Sequence, residues 1–199
     1  MYEEAWSDKY VRFIQSVKHK PIKSFLYCSN PNIRISSILK YPDSCWHWLY
    51  LCSNPCMTME YIEKYDNMPW NLYNISSNPN LTIDFVLKHT GTNQHEIIDE
   101  YGTVGYALDW MRICLNPALT IDFIKKLPHV RWDWNRISEN PNLTTDFIDA
   151  FPHEPWNWYG LCIRFSDIVN LVNKYPDKPW DWHLLSSNIN VTEKFVRNN

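Results

Sequence analysis

Apolar and polar residues recur along this chain with a period of 24 residues. The pair Asn-Pro marks the period, and it begins at Asn30, Asn54, Asn78, Asn116 and Asn140. The spacings are 24, 24, 38 and 24 residues. We number each unit from its Asn as position 1. Further steps of 24 residues predict about eight units, which start near residues 6, 30, 54, 78, 116, 140, 164 and 188.

Positions 4 to 13 of each unit predict a short first helix. Position 4 is apolar, position 5 is mostly Thr, position 8 is mostly aromatic and position 9 is Ile or Val. Thr is a favourable N-cap, and the apolar residues at positions 4 and 9 have the spacing of a hydrophobic staple around it. A Pro at position 13 ends the helix after about two turns, because the residue before Pro avoids the helical region.

Positions 17 to 22 predict a second, shorter helix. Asp or Asn at position 18 is its N-cap, and the residues at positions 17 and 22 repeat the staple spacing. We expect about five residues in α or 3₁₀ geometry. Helices this short are not stable alone, so stacked neighbouring units have to stabilise them. The sequence therefore predicts an all-α fold, an α-solenoid of about eight two-helix units that form a superhelix, in one domain over residues 1–199.

The tryptophans follow the same period. Ten of the eleven Trp residues occupy positions 17 or 19. A buried Trp removes about 150–250 Å² of surface from water, so we expect these rings to form the core. The alternative is an exposed platform of Trp pairs on which sugars or bases stack.

The unit that starts at Asn78 is 38 residues long instead of 24. The extra residues lie at about 90–106 and contain three of the four Gly residues of the chain. An insertion in a regular array projects from one face and often determines binding specificity. Its acidic residues Glu96, Asp99 and Glu100 are therefore candidate partner contacts. The alternative is a neutral insertion.

Charge and hydropathy exclude several classes of protein. The formal net charge is −3, which disfavours a general nucleic-acid binder because such proteins need a basic surface. No apolar run approaches the 18 or so residues that cross a bilayer. The first residues lack the basic start and apolar stretch of a signal peptide. We therefore expect a cytoplasmic protein with no membrane partner.

The six cysteines do not have the pattern of a disulfide framework. Four of them, Cys28, Cys52, Cys114 and Cys162, occupy position 23, where other units have Ser. This exchange indicates small core residues in a reducing compartment. Cys52 and Cys56 have no matching second pair, so we expect no metal site.

No catalytic motif is present. The chain has no Gly-rich phosphate loop, no Gly-x-Ser-x-Gly sequence and no His-Glu-x-x-His sequence. We therefore expect no enzymatic activity, no cofactor and no small-molecule substrate.

Lysine recurs at position 11, near the end of the first helices, at Lys40, Lys64, Lys88, Lys126 and Lys174. One interpretation is a solvated helix end where a cation is favoured by the helix dipole. The other is a basic track for an acidic partner or a nucleic-acid backbone.

The fullest form of the motif reads Asn-Pro-Asn-Leu-Thr at residues 140–144 and Pro-Trp-Asn-Trp at residues 155–158. It resembles repeat proteins of giant DNA viruses of amoebae, and the two-helix unit is similar to the leucine-rich variant repeat. The resemblance covers nearly the whole chain and implies stacked α and 3₁₀ helices and a viral origin, but no activity. The Trp pair replaces the charged and small residues of the variant repeat. The Cys cluster that binds iron–sulfur in one member of that family is missing, so no cluster is implied.

Positions 20 and 21 are the candidate partner surface. They vary between units and are rich in Tyr, Arg and Met, which are enriched in interface cores. At least one residue of each pair is expected to face solvent, because the pair lies between the second N-cap and the buried position 22. The candidates are Tyr73, Arg112, Arg136 and Tyr159. The alternative is that these side chains pack between adjacent second helices.

Two functions follow from this sequence. The first is a protein–protein interaction module, such as a viral adaptor in the host cytoplasm. The alternative is a structural or assembly scaffold that self-associates through its C-terminal repeat, because Phe195 and Val196 have no following unit in the sequence.

Overall fold

A computed structural model describes residues 2–16, 27–42, 44, 46–90, 97–98, 104–105 and 107–198. Within these residues the chain is almost entirely helical, which confirms the predicted all-α class. The helices with defined bounds are α1 (Tyr2–Ser16), α2 (Ile35–Lys40), α3 (Trp48–Cys52), α4 (Met59–Lys64), α5 (Leu72–Ile75), α6 (Ile83–His89), α7 (Trp110–Leu115), α8 (Ile121–Lys126), α9 (Trp134–Ile137), α10 (Thr145–Ala150), α11 (Trp158–Arg164), α12 (Ile168–Lys174), α13 (Trp182–Leu185) and α14 (Glu193–Asn198).

A pair of two-residue strands lies within the predicted insertion, and the helical pattern did not indicate it. Strand β1 (Ile97–Ile98) pairs antiparallel with β2 (Val104–Gly105). The candidate contacts Glu96, Asp99 and Glu100 lie outside the described residues, so their role stays a prediction.

The chain forms two compact bodies, an N-terminal body of residues 1–109 and a C-terminal body of residues 110–199. The division follows the predicted insertion, and the expectation of one repeat domain stays a prediction. Across the described ranges, no helix combines the length and the apolar character needed to cross a membrane.

The first helices begin at the predicted caps. Thr58, Thr82 and Thr120 precede α4, α6 and α8, and each Oγ1 accepts a hydrogen bond from the backbone N–H three residues later, at 3.1–3.2 Å. Thr144 precedes α10 without such a bond. The helices that follow these caps have six or seven residues, which confirms the predicted two turns.

The second helices are capped by the same chemistry. The side chain at position 18 accepts a hydrogen bond from the N–H three residues later, at 2.9–3.1 Å, at Asn71, Asp133, Asn157 and Asp181. His47, at the same position before α3, makes no side-chain cap. The second helices have four to seven residues, close to the predicted five.

The first unit departs from the pattern, because α1 has 15 residues instead of two turns. Ser37, at the position that is aromatic in most units, is buried against this helix. Its Oγ lies 2.8 Å from Ser7 Oγ and also donates to Asp8 Oδ1 at 3.1 Å. A pair of buried hydroxyls therefore replaces the aromatic ring at this point.

The predicted staple positions form the core of both bodies. Position 22 is fully buried wherever the second helix is described, at Leu51, Ile75, Ile113, Ile137, Leu161 and Leu185. Position 9 is buried from Ile38 to Val172, but Val196 is exposed while its neighbour Phe195 is buried. Burial of each such side chain contributes about 1.5–3 kcal/mol before the entropy cost of ordering is counted.

Tyr61 places a hydroxyl where other units have Phe. Its side chain is buried, and its hydroxyl oxygen has no hydrogen-bond partner among the described residues. Burial raises the pKa of Tyr61 above its ordinary value. A buried hydroxyl without a partner costs free energy.

We expect Tyr61→Phe to leave the free energy of unfolding unchanged or to raise it by up to about 1 kcal/mol, because the unpaired hydroxyl is removed. The control is Tyr175→Phe, since the Tyr175 hydroxyl donates a hydrogen bond to Asp149, and this change should be destabilising. Urea titrations of both variants measure the difference. A clear loss of stability in Tyr61→Phe would show that the hydroxyl has a partner.

Candidate interaction surface and the contacts beneath it

The Asn at position 1 hydrogen-bonds to the preceding unit. Asn54 Nδ2 donates to the carbonyl oxygens of Cys28 at 2.7 Å and Asn30 at 2.9 Å. Its Oδ1 accepts the backbone N–H of Cys56 at 2.9 Å. Equivalent bonds to residues 23–26 positions earlier are made by Asn78, Asn140 and Asn188. We call these four buried residues the Asn ladder. In the sequence, this Asn was used only to mark the start of each unit. A polar residue that recurs next to buried positions indicates a buried hydrogen bond, and this was the available signal.

The side chain at position 23 is a hydrogen-bond acceptor. Cys28 Sγ accepts the backbone N–H of His47 at 3.1 Å, and Ser138 Oγ accepts that of Asn157 at 2.9 Å. The four predicted core thiols, at Cys28, Cys52, Cys114 and Cys162, form no disulfide bond and are fully buried. Burial raises the pKa of Cys28 to about 11 and that of Cys52 to about 12. The small-core-residue prediction is confirmed, and each thiol or hydroxyl at this position can also bind the next unit.

We expect Cys52→Ser to change the free energy of unfolding by less than about 1 kcal/mol, because Ser fills this position in other units and can accept the Asn71 N–H. Cys52→Ala is close to Cys52→Ser in volume but has no acceptor, so it should cost about 1–3 kcal/mol more than Cys52→Ser. Denaturant titrations compare the two. Equal losses would show that the hydrogen bond contributes little.

The Trp side chains have two distinct contacts. At position 17 the indole N–H donates to the carbonyl at the end of the first helix, five residues earlier, at 2.6–3.3 Å. At position 19 the ring meets the position-17 ring of the next unit edge to face, with centroids 4.9–5.6 Å apart. These pairs are Trp48–Trp70, Trp110–Trp132, Trp134–Trp156 and Trp158–Trp180. The core interpretation holds for Trp134, Trp156 and Trp180, which are buried. Trp182 is 52% exposed, and the other six rings at these positions are half-buried.

Several lysines of the predicted basic stripe are paired with carboxylates. Lys88 contacts Glu63 of the preceding unit at 2.9 Å, and Lys174 pairs with Asp149 of the preceding unit. Lys40 and Lys126 also form ion pairs. This pairing neutralises much of the stripe and weakens its interpretation as a track for an acidic molecule.

Hydrogen bonds from Lys174 and then Tyr175 lower the pKa of Asp149 below its ordinary value of 3.8. The pKa of Tyr175 is raised to about 12, first by burial and then by its hydrogen bond to the Asp149 carboxylate. The Asp149 carboxyl is therefore a stronger acid in the folded protein than in the unfolded chain. Its contribution to stability is present above pH 3.8 and is lost as the pH falls through the lower folded-state pKa.

The second helices of the C-terminal body lie in a row. Helix α7 packs against α9, and α11 packs against α13. The Ser138–Asn157 hydrogen bond and the Trp134–Trp156 pair join the units of α9 and α11. Position 20 is exposed on all four helices, at Met111, Asn135, Tyr159 and His183. We call the surface formed by these residues and their helical neighbours at positions 21 and 24 the second-helix face.

The candidate contacts are only partly exposed. Tyr159 is 59% exposed, whereas Tyr73, Arg112 and Arg136 are half-buried. Arg136 lies 3.6 Å from Asp133 on the same helix. Tyr73 belongs to the N-terminal body, so it does not share the face defined above. The binding role of all four residues stays a prediction.

Ile163 is a surface residue that sequence reasoning missed. It lies one helical turn after Tyr159 on α11 and is 45% exposed. Residues four apart share one side of a helix, so this spacing was the available signal. Together Tyr159 and Ile163 form an exposed apolar pair.

Within the described part of the chain, no group of three or more His, Cys, Asp or Glu residues is arranged to hold a metal ion. In comparisons with known proteins, no family model matches this sequence, and neither a curated protein nor a solved structure shows significant similarity to it.

Proposed function

We propose that this chain is an α-solenoid of about eight two-helix units and that it serves as a protein–protein interaction module. The 24-residue period supports the architecture, and so do the Asn ladder and the Trp pairs, which join neighbouring units within each body. In stacked repeats each unit contacts its neighbours and offers an extended surface to a partner.

The exposed apolar residues of the second-helix face support the interaction function. Met111 is 52% exposed and Tyr159 is 59% exposed, while position 22 of the same helices is fully buried. Each of these helices therefore packs against the core through one side and exposes the other side to solvent. Tyr and Met are enriched in interface cores, and Tyr159 forms an exposed apolar pair with Ile163 on α11. Packed helices lie roughly 8–10 Å apart, so four of them accommodate an extended segment of about eight residues.

A random-peptide display selection against the full chain tests this function. Selected peptides should bind the wild type and bind about ten-fold more weakly to the double variant Met111→Ser/Tyr159→Ser. The matched control is Leu39→Ser/Leu87→Ser, which changes two exposed residues of first helices and should bind normally. Selection of no peptide, or equal binding to all three proteins, would refute the proposal.

Self-association is a second candidate, and the exposure of Trp182 favours it. The Trp182 ring stacks on Phe195 with centroids 6.3 Å apart and is still 52% exposed, so an aromatic ring from another molecule can pack on its open side. Light scattering over a wide concentration range distinguishes the candidates. A mass that rises with concentration and returns to that of the monomer in Trp182→Ala would support a scaffold, whereas a constant monomer mass would exclude it.

The resemblance to repeat proteins of giant DNA viruses supports a narrower proposal, an adaptor that acts in the host cytoplasm. Affinity purification from infected cells with the wild type and the Met111→Ser/Tyr159→Ser variant tests this proposal. A partner that is retained by the wild type and lost by the variant would support it.

A further inference from the structure

We infer that one side of α1, formed by Trp6, Tyr10 and Phe13, binds the surface around Trp182 and Val196 of a second copy of this chain. Copies joined by this contact associate head to tail. The inference rests on self-association, the second candidate function, and names the two surfaces that meet. We call the three residues of α1 the aromatic stripe, and the other two residues the Trp182 surface.

The aromatic stripe is an exposed side of a long helix. Trp6, Tyr10 and Phe13 are spaced by four and three residues, so they lie on the same side of α1. Trp6 is 41% exposed and Phe13 is 57% exposed. The rings of Trp6 and Tyr10 stack with centroids 4.8 Å apart. Aromatic residues are enriched in interface cores, so this side of α1 is suited to a protein contact.

The opposite side of α1 contacts the following unit. Arg12 Nε donates a hydrogen bond to the Tyr41 hydroxyl at 2.8 Å. Gln15 Nε2 donates to the Ser44 hydroxyl at 2.7 Å, and Asp8 forms an ion pair with the lysine of α2. Asp8, Arg12 and Gln15 repeat the spacing of the aromatic stripe two residues later, which is a rotation of about 200° around a helix with 3.6 residues per turn. The stripe therefore points away from the unit that α1 contacts.

The Trp182 surface is the second exposed apolar region in this inference. Trp182 is 52% exposed and Val196 is 58% exposed. The Trp182 ring stacks on Phe195, which directly precedes Val196, so the two exposed side chains belong to one region. Their counterparts in other units are less exposed. Position 9 is buried from Ile38 to Val172, and the other tryptophans at position 19 are buried or half-buried.

The contacts between units indicate which side chains fit the Trp182 surface. Four other tryptophans at position 19 each meet an indole ring of the following unit edge to face, with centroids 4.9–5.6 Å apart. The aromatic stripe offers an exposed indole at Trp6 and an exposed phenyl ring at Phe13. A contact between copies therefore repeats the chemistry that joins units within one chain. Because the opposite side of α1 already holds this helix in place, the stripe is also pre-organised, which lowers the entropy cost of binding.

The two surfaces differ, so the contact between copies is heterologous. One copy uses its aromatic stripe and the other uses its Trp182 surface, and each copy keeps one surface for a further copy. Heterologous contacts generate rings when the rotation between copies closes and filaments when it does not. We therefore expect wild-type assemblies of more than two copies, whereas a symmetric contact of one surface with itself stops at a dimer.

Sedimentation equilibrium of two surface variants and of their mixture tests the inference. Trp6→Ser/Phe13→Ser removes the aromatic stripe, and Trp182→Ser/Val196→Ser removes the Trp182 surface. Each variant alone should stay at the chain mass of 23.9 kDa. An equimolar mixture should form a complex of two chains and nothing larger, because a single intact contact remains. Concentrations from about 1 μM to about 1 mM cover the weak affinities of small interfaces.

The matched control is Leu39→Ser/Leu87→Ser, which changes two other exposed apolar residues and should associate like the wild type. A dimer of either surface variant alone, a monomeric mixture, or wild-type association by both variants would overturn head-to-tail binding and leave self-association intact. A wild type that stays monomeric would refute self-association itself. Thermal melts confirm folding, and the exposed single substitutions Phe13→Ser and Val196→Ser provide the same test if a double variant unfolds.

Discussion

Asn140→Ala is expected to lower the free energy of unfolding by about 3–5 kcal/mol. Asn140 is 7% exposed, and its Nδ2 donates to the carbonyl oxygens of Cys114 at 2.7 Å and Asn116 at 2.9 Å. Its Oδ1 accepts the N–H of Asn142 at 2.9 Å. Alanine removes all three bonds. The Asn116 carbonyl keeps its bond from the Leu119 N–H at 3.0 Å, but the loss of each hydrogen bond to a buried group costs about 1–3 kcal/mol.

Denaturant titration followed by far-UV circular dichroism measures this loss. The control is Asn135→Ala, because Asn135 is an exposed Asn in the same body, and it should change stability by less than about 0.5 kcal/mol. If the two substitutions differed by less than about 1 kcal/mol, the hydrogen bonds of the Asn ladder would not be important for stability.

Trp156→Ala is expected to cost about 3–5 kcal/mol. The Trp156 side chain is 4% exposed, its ring contacts Trp134 at 4.9 Å, and its indole N–H donates to the Phe151 carbonyl at 2.9 Å. The substitution therefore opens a cavity between two units and removes the indole donor, so that the Phe151 carbonyl keeps only the Glu154 N–H at 3.3 Å of these two bonds.

Three further substitutions serve as comparisons for Trp156→Ala. Trp156→Phe keeps part of the ring packing but removes the donor, so it should cost less than Trp156→Ala. Trp182→Ala removes a half-exposed ring and should cost about 1 kcal/mol. A surface change, Lys126→Ala, should stay within about 0.5 kcal/mol. Similar losses for Trp156→Ala and Lys126→Ala would disprove the core position of Trp156.

The short-range features of the fold could be predicted from the sequence. Thr82 and Asp133 were identified as N-caps because a capping side chain reaches a backbone N–H only three residues away. Burial of position 22, and of position 9 from Ile38 to Val172, agrees with the hydrophobic-staple spacing around these caps. Helix α1 was not anticipated, because the first unit lacks both the Asn-Pro pair and the Thr cap.

The contacts between units could not be derived from the period alone. A repeated Asn shows that a position is constrained, but not that Asn54 reaches the carbonyl of Cys28 in the preceding unit. The exposure of surface residues could likewise be derived only in part from the period. Exposure of Tyr159 agreed with the expectation for position 20, whereas the Arg136–Asp133 contact and the exposure of Ile163 depend on how the helices are turned in the row.

The sequence separation that the hydrogen bonds of the Asn ladder span also affects the folding rate of the protein. Its bonds join residues 21–26 apart in a chain of 199 residues. Divided by the chain length, this separation is about 0.1. Proteins whose relative contact order has this value fold in microseconds to milliseconds. Closing such short loops costs little chain entropy. Each pair of neighbouring units can therefore form its bonds without waiting for distant parts of the chain, and the search for the native structure stays local.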